Sequence, residues 1–112
     1  MNLSDETAER VAAWAASQPG ISELWLFGSR ARMDNRSDSD ADLAIRMPGD
    51  KGQVLGVFLT VADIWQDTLE GATGMKISLR ILGMHDEFDE IVHREGVRLW
   101  ARNDETQKFG VP

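Results

Sequence analysis

One segment constrains the fold more than any other: an apolar run that breaks at a Gly-Ser pair and is followed by an alternating strand. Residues 24–27 are continuously apolar, which predicts a strand covered on both faces, and Gly28-Ser29 ends it. Ten residues later, Asp40-Ala41-Asp42 opens a stretch in which apolar and polar positions alternate up to residue 47. Because alternate residues of a strand share a face, this pattern predicts a half-buried strand with Asp40 and Asp42 side by side on its polar face.

The rest of the chain divides into helical and strand periodicities. Ser4 is a predicted N-cap, and the helix after it stops at Pro19-Gly20. A short helix is compatible with the residues after Gly28-Ser29. We further expect a helix from Gln53 to Gly71 or Gly74, a strand over 75–82, a helix over 86–94 capped by Gly96, and a short strand over 97–100. Residues 1–101 are therefore expected to form a single α/β domain, and residues 102–112 a polar tail that frays.

Charge and composition limit the possible partners. The formal net charge is −7 and the pI is near 4.7, so a nonspecific electrostatic grip on a nucleic-acid backbone is not expected. There are no cysteines, which excludes disulfides and thiolate metal sites. No apolar run is long enough to cross a membrane, and the first residues lack the basic and apolar regions of a secretory signal. The expectation is a cytoplasmic protein without a membrane partner.

The chemistry of the first segment points to phosphate and metal. Two carboxylates at i and i+2 of a strand have Cα atoms about 6.5–7 Å apart, so they can converge on one ion or share two. Magnesium prefers such hard oxygen ligands and leaves positions open for substrate phosphates. Gly28 allows the backbone to approach a phosphate closely, and Ser29 adds a hydroxyl donor. The segment therefore predicts a site for a nucleoside triphosphate and its magnesium ions.

These motifs resemble those of a known family. Gly28-Ser29-Arg30-Ala31, and after the loop Ser39-Asp40-Ala41-Asp42-Leu43, are similar to the signature of the minimal nucleotidyltransferases of the DNA polymerase β superfamily. The resemblance implies a single-domain nucleotidyltransferase fold, with a short mixed β-sheet of three to four strands packed by helices. It also implies transfer of a nucleoside monophosphate from a triphosphate, with ATP the expected donor, to a protein or RNA hydroxyl.

The resemblance assigns roles to residues and suggests a partner. Asp40 and Asp42 would be the catalytic residues and would hold two magnesium ions. The nucleotide-binding residues would be Gly28, Ser29, Arg30 and Ser39. Many single-domain members of this family are antitoxins that work beside a HEPN-type ribonuclease toxin and can adenylylate it, so such a toxin is the implied protein partner.

The chain departs from the family pattern at one position. The family usually carries a third carboxylate on the third strand, where this sequence has Ser78 between Lys76 and Arg80. A serine cannot serve as a carboxylate base or as a strong magnesium ligand. Three explanations stay open: the strand register differs, an acid comes from Asp86 or Glu87, or the chain is a nucleotide- or partner-binding module with little or no transferase activity. Lys76 and Arg80 would either bind phosphate or neutralise the two aspartates.

Other residues suggest further contacts. Arg30, Arg32 and Arg36 are the best candidates for phosphate contacts outside the motif. Trp14 falls outside the apolar face of the first predicted helix, and Trp100 lies near the end of the chain. Because exposed tryptophans are typical of interfaces, either one could mark a surface for a partner.

Overall fold

The computed structural model describes residues 1–102, and the order of elements expected from the sequence is confirmed. The elements are α1 (Asp5–Ala16), β1 (Glu23–Phe27), α2 (Gly28–Arg32), β2 (Ala41–Arg46), α3 (Lys51–Thr73), β3 (Ile77–Ile81), α4 (Asp86–Glu95) and β4 (Val97–Ala101). They include the short last strand and a short helix, which begins at Gly28 rather than after Gly28-Ser29. The expected tail beyond residue 102 lies outside the described residues.

The strands form a mixed sheet in the order β3-β2-β1-β4. β1 is antiparallel to both β2 and β4, whereas β2 and β3 are parallel. In this register Asp42 lies beside Phe27 on one side and beside Ser78 on the other. Because residues paired across strands share a face, these three side chains stand in a row on the same face of the sheet. That row lies at the end of the sheet where β1 ends and β2 begins.

One face of the sheet carries the main core. Leu24, Leu26, Leu43 and Ile45 are fully buried in a cluster with residues of α1 and α3. Each such side chain contributes about 1.5–3 kcal/mol through burial. Trp14 belongs to this core, since it is 7% exposed and its ring meets that of Trp65 edge-on at 5.7 Å. The suggestion that Trp14 marks a partner surface is therefore wrong, because α3 covers the side of α1 on which Trp14 lies.

The other face is covered only in part, by α4. Val92 packs with Ala44 and Leu82, and Phe88 contacts Phe27 edge-on at 5.2 Å. α4 begins after β3 and ends where β4 pairs with β1, so it crosses the sheet diagonally. The corner that carries Asp42 and Ser78 is left partly exposed. Both faces of β1 are covered, as its apolar run predicted.

α3 is longer than its periodicity predicted. It begins at Lys51 because Asp50 caps it: the Asp50 side chain accepts the Gln53 N–H, and the Gln53 side chain accepts the Asp50 N–H. Gly71 lies within the helix, and Gly74 ends it in the left-handed conformation at φ 71°. Val57 falls at an apolar position of the helical period but is 48% exposed. Within residues 1–102, no helix has the length and apolar character that crossing a membrane requires.

Arg102, the first residue of the expected tail, is anchored to the fold. Its backbone N–H donates to the Ser22 carbonyl at 2.7 Å. Its guanidinium donates to the carbonyls of Ile21 and Gln18 and lies 5.0 Å from the centre of the Trp100 ring. Arg102 therefore holds the end of β4 against the segment that leads into β1.

Candidate nucleotide and metal site

The structure brings the Gly-Ser turn and the second aspartate into contact. Gly28 has φ 75°, and a Cβ at this position would collide with Oδ2 of Asp42. The contact follows from the antiparallel pairing of β1 with β2, which sets Phe27 beside Asp42 and the turn directly above the carboxylate. Glycine is needed here both for its backbone conformation and for space. Two motifs ten residues apart in sequence thus form one site.

Gly28→Ala is expected to destabilise the protein by about 1–3 kcal/mol, because alanine pays the cost of a positive φ and displaces the Asp42 carboxylate. Chemical denaturation of the free protein measures this change. Gly71→Ala is the matched control, since Gly71 lies within α3 with open space around its Cα, and alanine there is expected to be neutral or stabilising. Equal stability of Gly28→Ala and the wild type would contradict the close contact with Asp42.

The electrostatics of Asp42 suit a bound cation. Burial raises the pKa of Asp42 above its ordinary value of 3.8, and the negative charge of Asp40 raises it further. The positive charges of Arg32 and Arg80 act in the opposite direction and lower this pKa. Two carboxylates that repel each other at the edge of a partly buried site are a donor set that fits magnesium. Asp40 and Asp42 are the residues that would hold it.

The raised pKa predicts a pH-dependent effect of Asp42→Asn on stability. Above the raised pKa, the ionised carboxylate destabilises the fold, whereas well below 3.8 it is protonated in both folded and unfolded states and has no effect. Asp42→Asn is therefore expected to raise the Tm of the metal-free protein at neutral pH, and the gain is expected to vanish at about pH 3. Thermal unfolding at several pH values tests this; a gain that is the same at every pH would contradict it.

Arg30 and Ser39 have structural partners within the loop between α2 and β2. Arg30 is only 9% exposed, and its guanidinium donates to the backbone carbonyls of Asn2, Ser37 and Ser39. The Ser39 hydroxyl accepts the Arg36 N–H at 2.9 Å. The structure thus uses both residues to fix the path of the chain into Asp40. The nucleotide contacts assigned to them from the family resemblance stay predictions.

Arg32 lies closer to the carboxylates than the sequence alone could indicate. Its guanidinium pairs with Asp34 at 3.1 Å and with Glu95 at 3.5 Å, and its charge acts on Asp42. The pairing with Glu95 brings the end of α4 to the site across 63 residues of sequence. No local signal marks Glu95, because its position depends on how α4 crosses the sheet.

The register of β3 decides between the explanations for Ser78. Ser78 pairs directly with Asp42, so a shifted register is excluded. The charged groups that act on Asp42 are Asp40, Arg32 and Arg80, and neither Asp86 nor Glu87 is among them, so neither stands in for the missing acid. Within residues 1–102, no three acidic, histidine or cysteine side chains cluster as a metal site. The candidate metal ligands of the described site are therefore Asp40 and Asp42, with Ser78 beside Asp42 where the family usually has a third carboxylate.

A four-stranded mixed sheet with a Gly-Ser turn above a carboxylate pair is the fold and motif arrangement of a nucleotidyltransferase. The family model "Polymerase beta, Nucleotidyltransferase" matches residues 9–105. The chain belongs to this family. No curated protein sequence is significantly similar to it.

Solved structures share the fold at low sequence identity. A chain of a toxin-antitoxin crystal structure with AMP-PNP has a TM-score of 0.67 at 18% identity, covering 93% of this chain and 81% of that one. The complex of the tri-AMPylated HEPN toxin of Shewanella oneidensis with MNT antitoxin contains a chain with TM-score 0.61 and 17% identity, covering 94% and 78%. A protein assigned to the minimal nucleotidyltransferases has TM-score 0.59 and 26% identity, covering 80% and 86%.

Proposed function

We propose that this chain transfers AMP from ATP to a hydroxyl group of a protein or RNA. The observation that carries the proposal is the contact between Gly28 and the Asp42 carboxylate, which makes one site of the turn and the acidic pair. In this proposal Asp40 and Asp42 hold two magnesium ions, which supply charge stabilisation for the phosphates. The backbone and hydroxyl at Gly28-Ser29 bind the triphosphate.

The chain's own residues would mainly position the substrate. In this proposal the triphosphate lies beside Asp42, at the corner of the sheet where Asp42 and Ser78 are half-buried, and α4 packs on the Ala44 and Leu82 part of that face. Arg32 is close enough to Asp42 to act on its pKa, so the same guanidinium can neutralise a nearby phosphate. The acceptor oxygen then bonds to the α-phosphorus, the bond to the β-phosphate breaks, and pyrophosphate leaves. The acceptor proton passes to a base.

We further propose a HEPN-type toxin as the protein partner and the cytoplasm as the place of action, with residues 1–101 as the transferase domain. The support is the similarity in fold to chains from toxin-antitoxin complexes, one of them with a tri-AMPylated toxin. The net charge of −7 supports a protein acceptor over nonspecific binding to a nucleic acid.

The test is transfer of label. The purified protein is incubated with magnesium and α-labelled ATP, alone and with the product of a neighbouring HEPN-type gene. Label on the partner that is lost with Asp42→Ala supports the proposal. A partner that is neutralised without label from any nucleotide would refute transferase activity.

A binding module without transferase activity is the second candidate, and Ser78 beside Asp42 is the observation that favours it. Such a module would still bind the nucleotide with magnesium and would still neutralise its partner. Isothermal titration with the non-hydrolysable analogue AMP-PNP separates the two: binding that depends on Asp42, without any labelled product, identifies the module.

A further inference from the structure

The described site lacks an unpaired carboxylate to act as base for the acceptor, since Glu95 is paired with Arg32 and Arg94. A hydroxyl that attacks phosphorus must lose its proton to a group within hydrogen-bond reach. Asp40 and Asp42 are the proposed metal ligands, and the other charged groups acting on Asp42 are the cations Arg32 and Arg80. Ser78 occupies the neighbouring place on β3 and has no carboxylate to offer. The position beside Asp42 is therefore where a further carboxylate is needed.

That position lies next to an open edge of the sheet. β3 is an outer strand. The Lys76 carbonyl accepts the Ala41 N–H, and the Leu82 N–H donates to the Ile45 carbonyl. The backbone groups of even-numbered residues of β3 therefore point toward β2, and those of odd-numbered residues point outward. Glu70 accepts the outward Ile77 N–H at 3.0 Å. For Leu79 and Ile81, no partner for the outward N–H exists among residues 1–102.

The open edge carries positive charge and apolar surface. Lys76 and Arg80 flank Ser78 on the same face, and Arg80 is held 4.5 Å from the centre of the Phe88 ring. Beside the edge lies a groove of 230 Å³, whose apolar lining includes Leu55, Leu59 and Met84. Leu59 is 71% exposed. An extended segment with alternating acidic and apolar residues would be complementary to this edge. Its backbone can pair with the outward groups of β3, its acidic side chains with Lys76 and Arg80, and its apolar side chains with the groove.

We propose that an extended acidic segment of a partner protein adds to β3 as a further strand and places a carboxylate beside Ser78. This inference rests on the proposed transferase function and names its regulation: the partner completes the site. The partner's carboxylate takes the proton of the acceptor hydroxyl as its oxygen bonds to the α-phosphorus and pyrophosphate leaves. Without the partner, transfer is slow.

Binding to the edge is tested with a synthetic peptide of alternating valine and glutamate, compared with one of alternating valine and glutamine. We expect the glutamate peptide to shift the amide resonances of Leu79 and Ile81, and the double variant Lys76→Glu/Arg80→Glu to weaken its binding by about tenfold. Arg98→Glu, which reverses a charge on the opposite edge strand β4, is the matched control and is expected to have no effect. Equal binding of the two peptides, or equal loss with Arg98→Glu, would overturn the proposal.

Catalysis is tested with Ser78→Asp, which supplies the carboxylate within the chain. Pyrophosphate release from magnesium-ATP, with water as acceptor, is expected to rise by about a hundredfold in the isolated variant. Ser78→Asn has the same size but no base and is expected to leave the rate low. If the wild-type chain alone releases pyrophosphate as fast as Ser78→Asp, no partner is needed to complete the site. This inference is then overturned, while the proposed function still stands. If neither the wild type, with or without peptide, nor Ser78→Asp shows release that depends on Asp42, the proposed function fails as well.

Discussion

Asp42→Asn is expected to reduce the proposed nucleotidyl transfer by about a thousandfold, because the loss of one proposed magnesium ligand would remove several kcal/mol of transition-state stabilisation. Asparagine has nearly the same shape, so the contact with Gly28 and the pairing with Phe27 and Ser78 are kept. The same change removes a carboxylate whose pKa is raised by burial, so the free protein becomes more stable while its activity is lost. Initial rates of label transfer with α-labelled ATP and thermal unfolding measure the two effects on one sample.

A damaged fold would lower both the activity and the Tm, whereas the loss of a metal ligand lowers the activity while the Tm of the free protein rises. Magnesium with ATP is expected to raise the Tm of the wild type and to leave that of Asp42→Asn unchanged. Asp63→Asn removes an exposed carboxylate of α3 and is the matched control, with no expected change in either measurement. If Asp42→Asn kept a wild-type rate, the assignment of Asp42 as a magnesium ligand would be wrong.

Arg30→Ala is expected to destabilise the protein by about 3 kcal/mol or more, which corresponds to a fall in Tm of at least about 12 °C. The guanidinium is the common donor to the Asn2, Ser37 and Ser39 carbonyls, and its removal leaves partly buried acceptors without a partner. The loop that leads to Asp40 loses its anchor at the same time. Denaturant unfolding of the free protein measures the change.

Arg36→Ala is the control for Arg30→Ala. Arg36 lies on the same loop, is exposed, and its side chain bonds to nothing within residues 1–102. Its replacement is expected to change stability by less than about 0.5 kcal/mol. An Arg30→Ala protein of wild-type stability but reduced affinity for ATP would instead support the direct nucleotide contact that the family resemblance assigns to Arg30.

Local sequence patterns were sufficient to predict the helices and strands and the placement of Asp42 on a polar strand face. Alternation in residues 40–47 predicted that Asp42 stands on the polar face of a strand, and β2 confirms this. The break at Gly28-Ser29 predicted a turn that needs glycine, and its φ of 75° confirms the reason. These features depend on residues close in sequence, whose backbone geometry the residue types themselves restrict.

Features that depend on how distant elements pack could not be predicted. Trp14 is a core residue because α3 packs over α1, and Glu95 reaches Arg32 because α4 crosses the sheet. Arg30 is buried because the loop after α2 folds back over it toward Asn2. In each case the contacting residue lies far along the chain, so the hydrophobic pattern of the residue's own segment does not predict the contact.

The sequence alone therefore determined the strand–turn–strand motif and the carboxylate pair, because each is a matter of residue type and local spacing. That a serine stands where a third carboxylate is usual was implied by the family resemblance. Only the tertiary structure decided that Ser78 stands directly beside Asp42, since strand register is set by pairing between β2 and β3. It also decided that Ser78 lies on an outer strand of the sheet formed by residues 1–102, because strand order depends on contacts between distant elements.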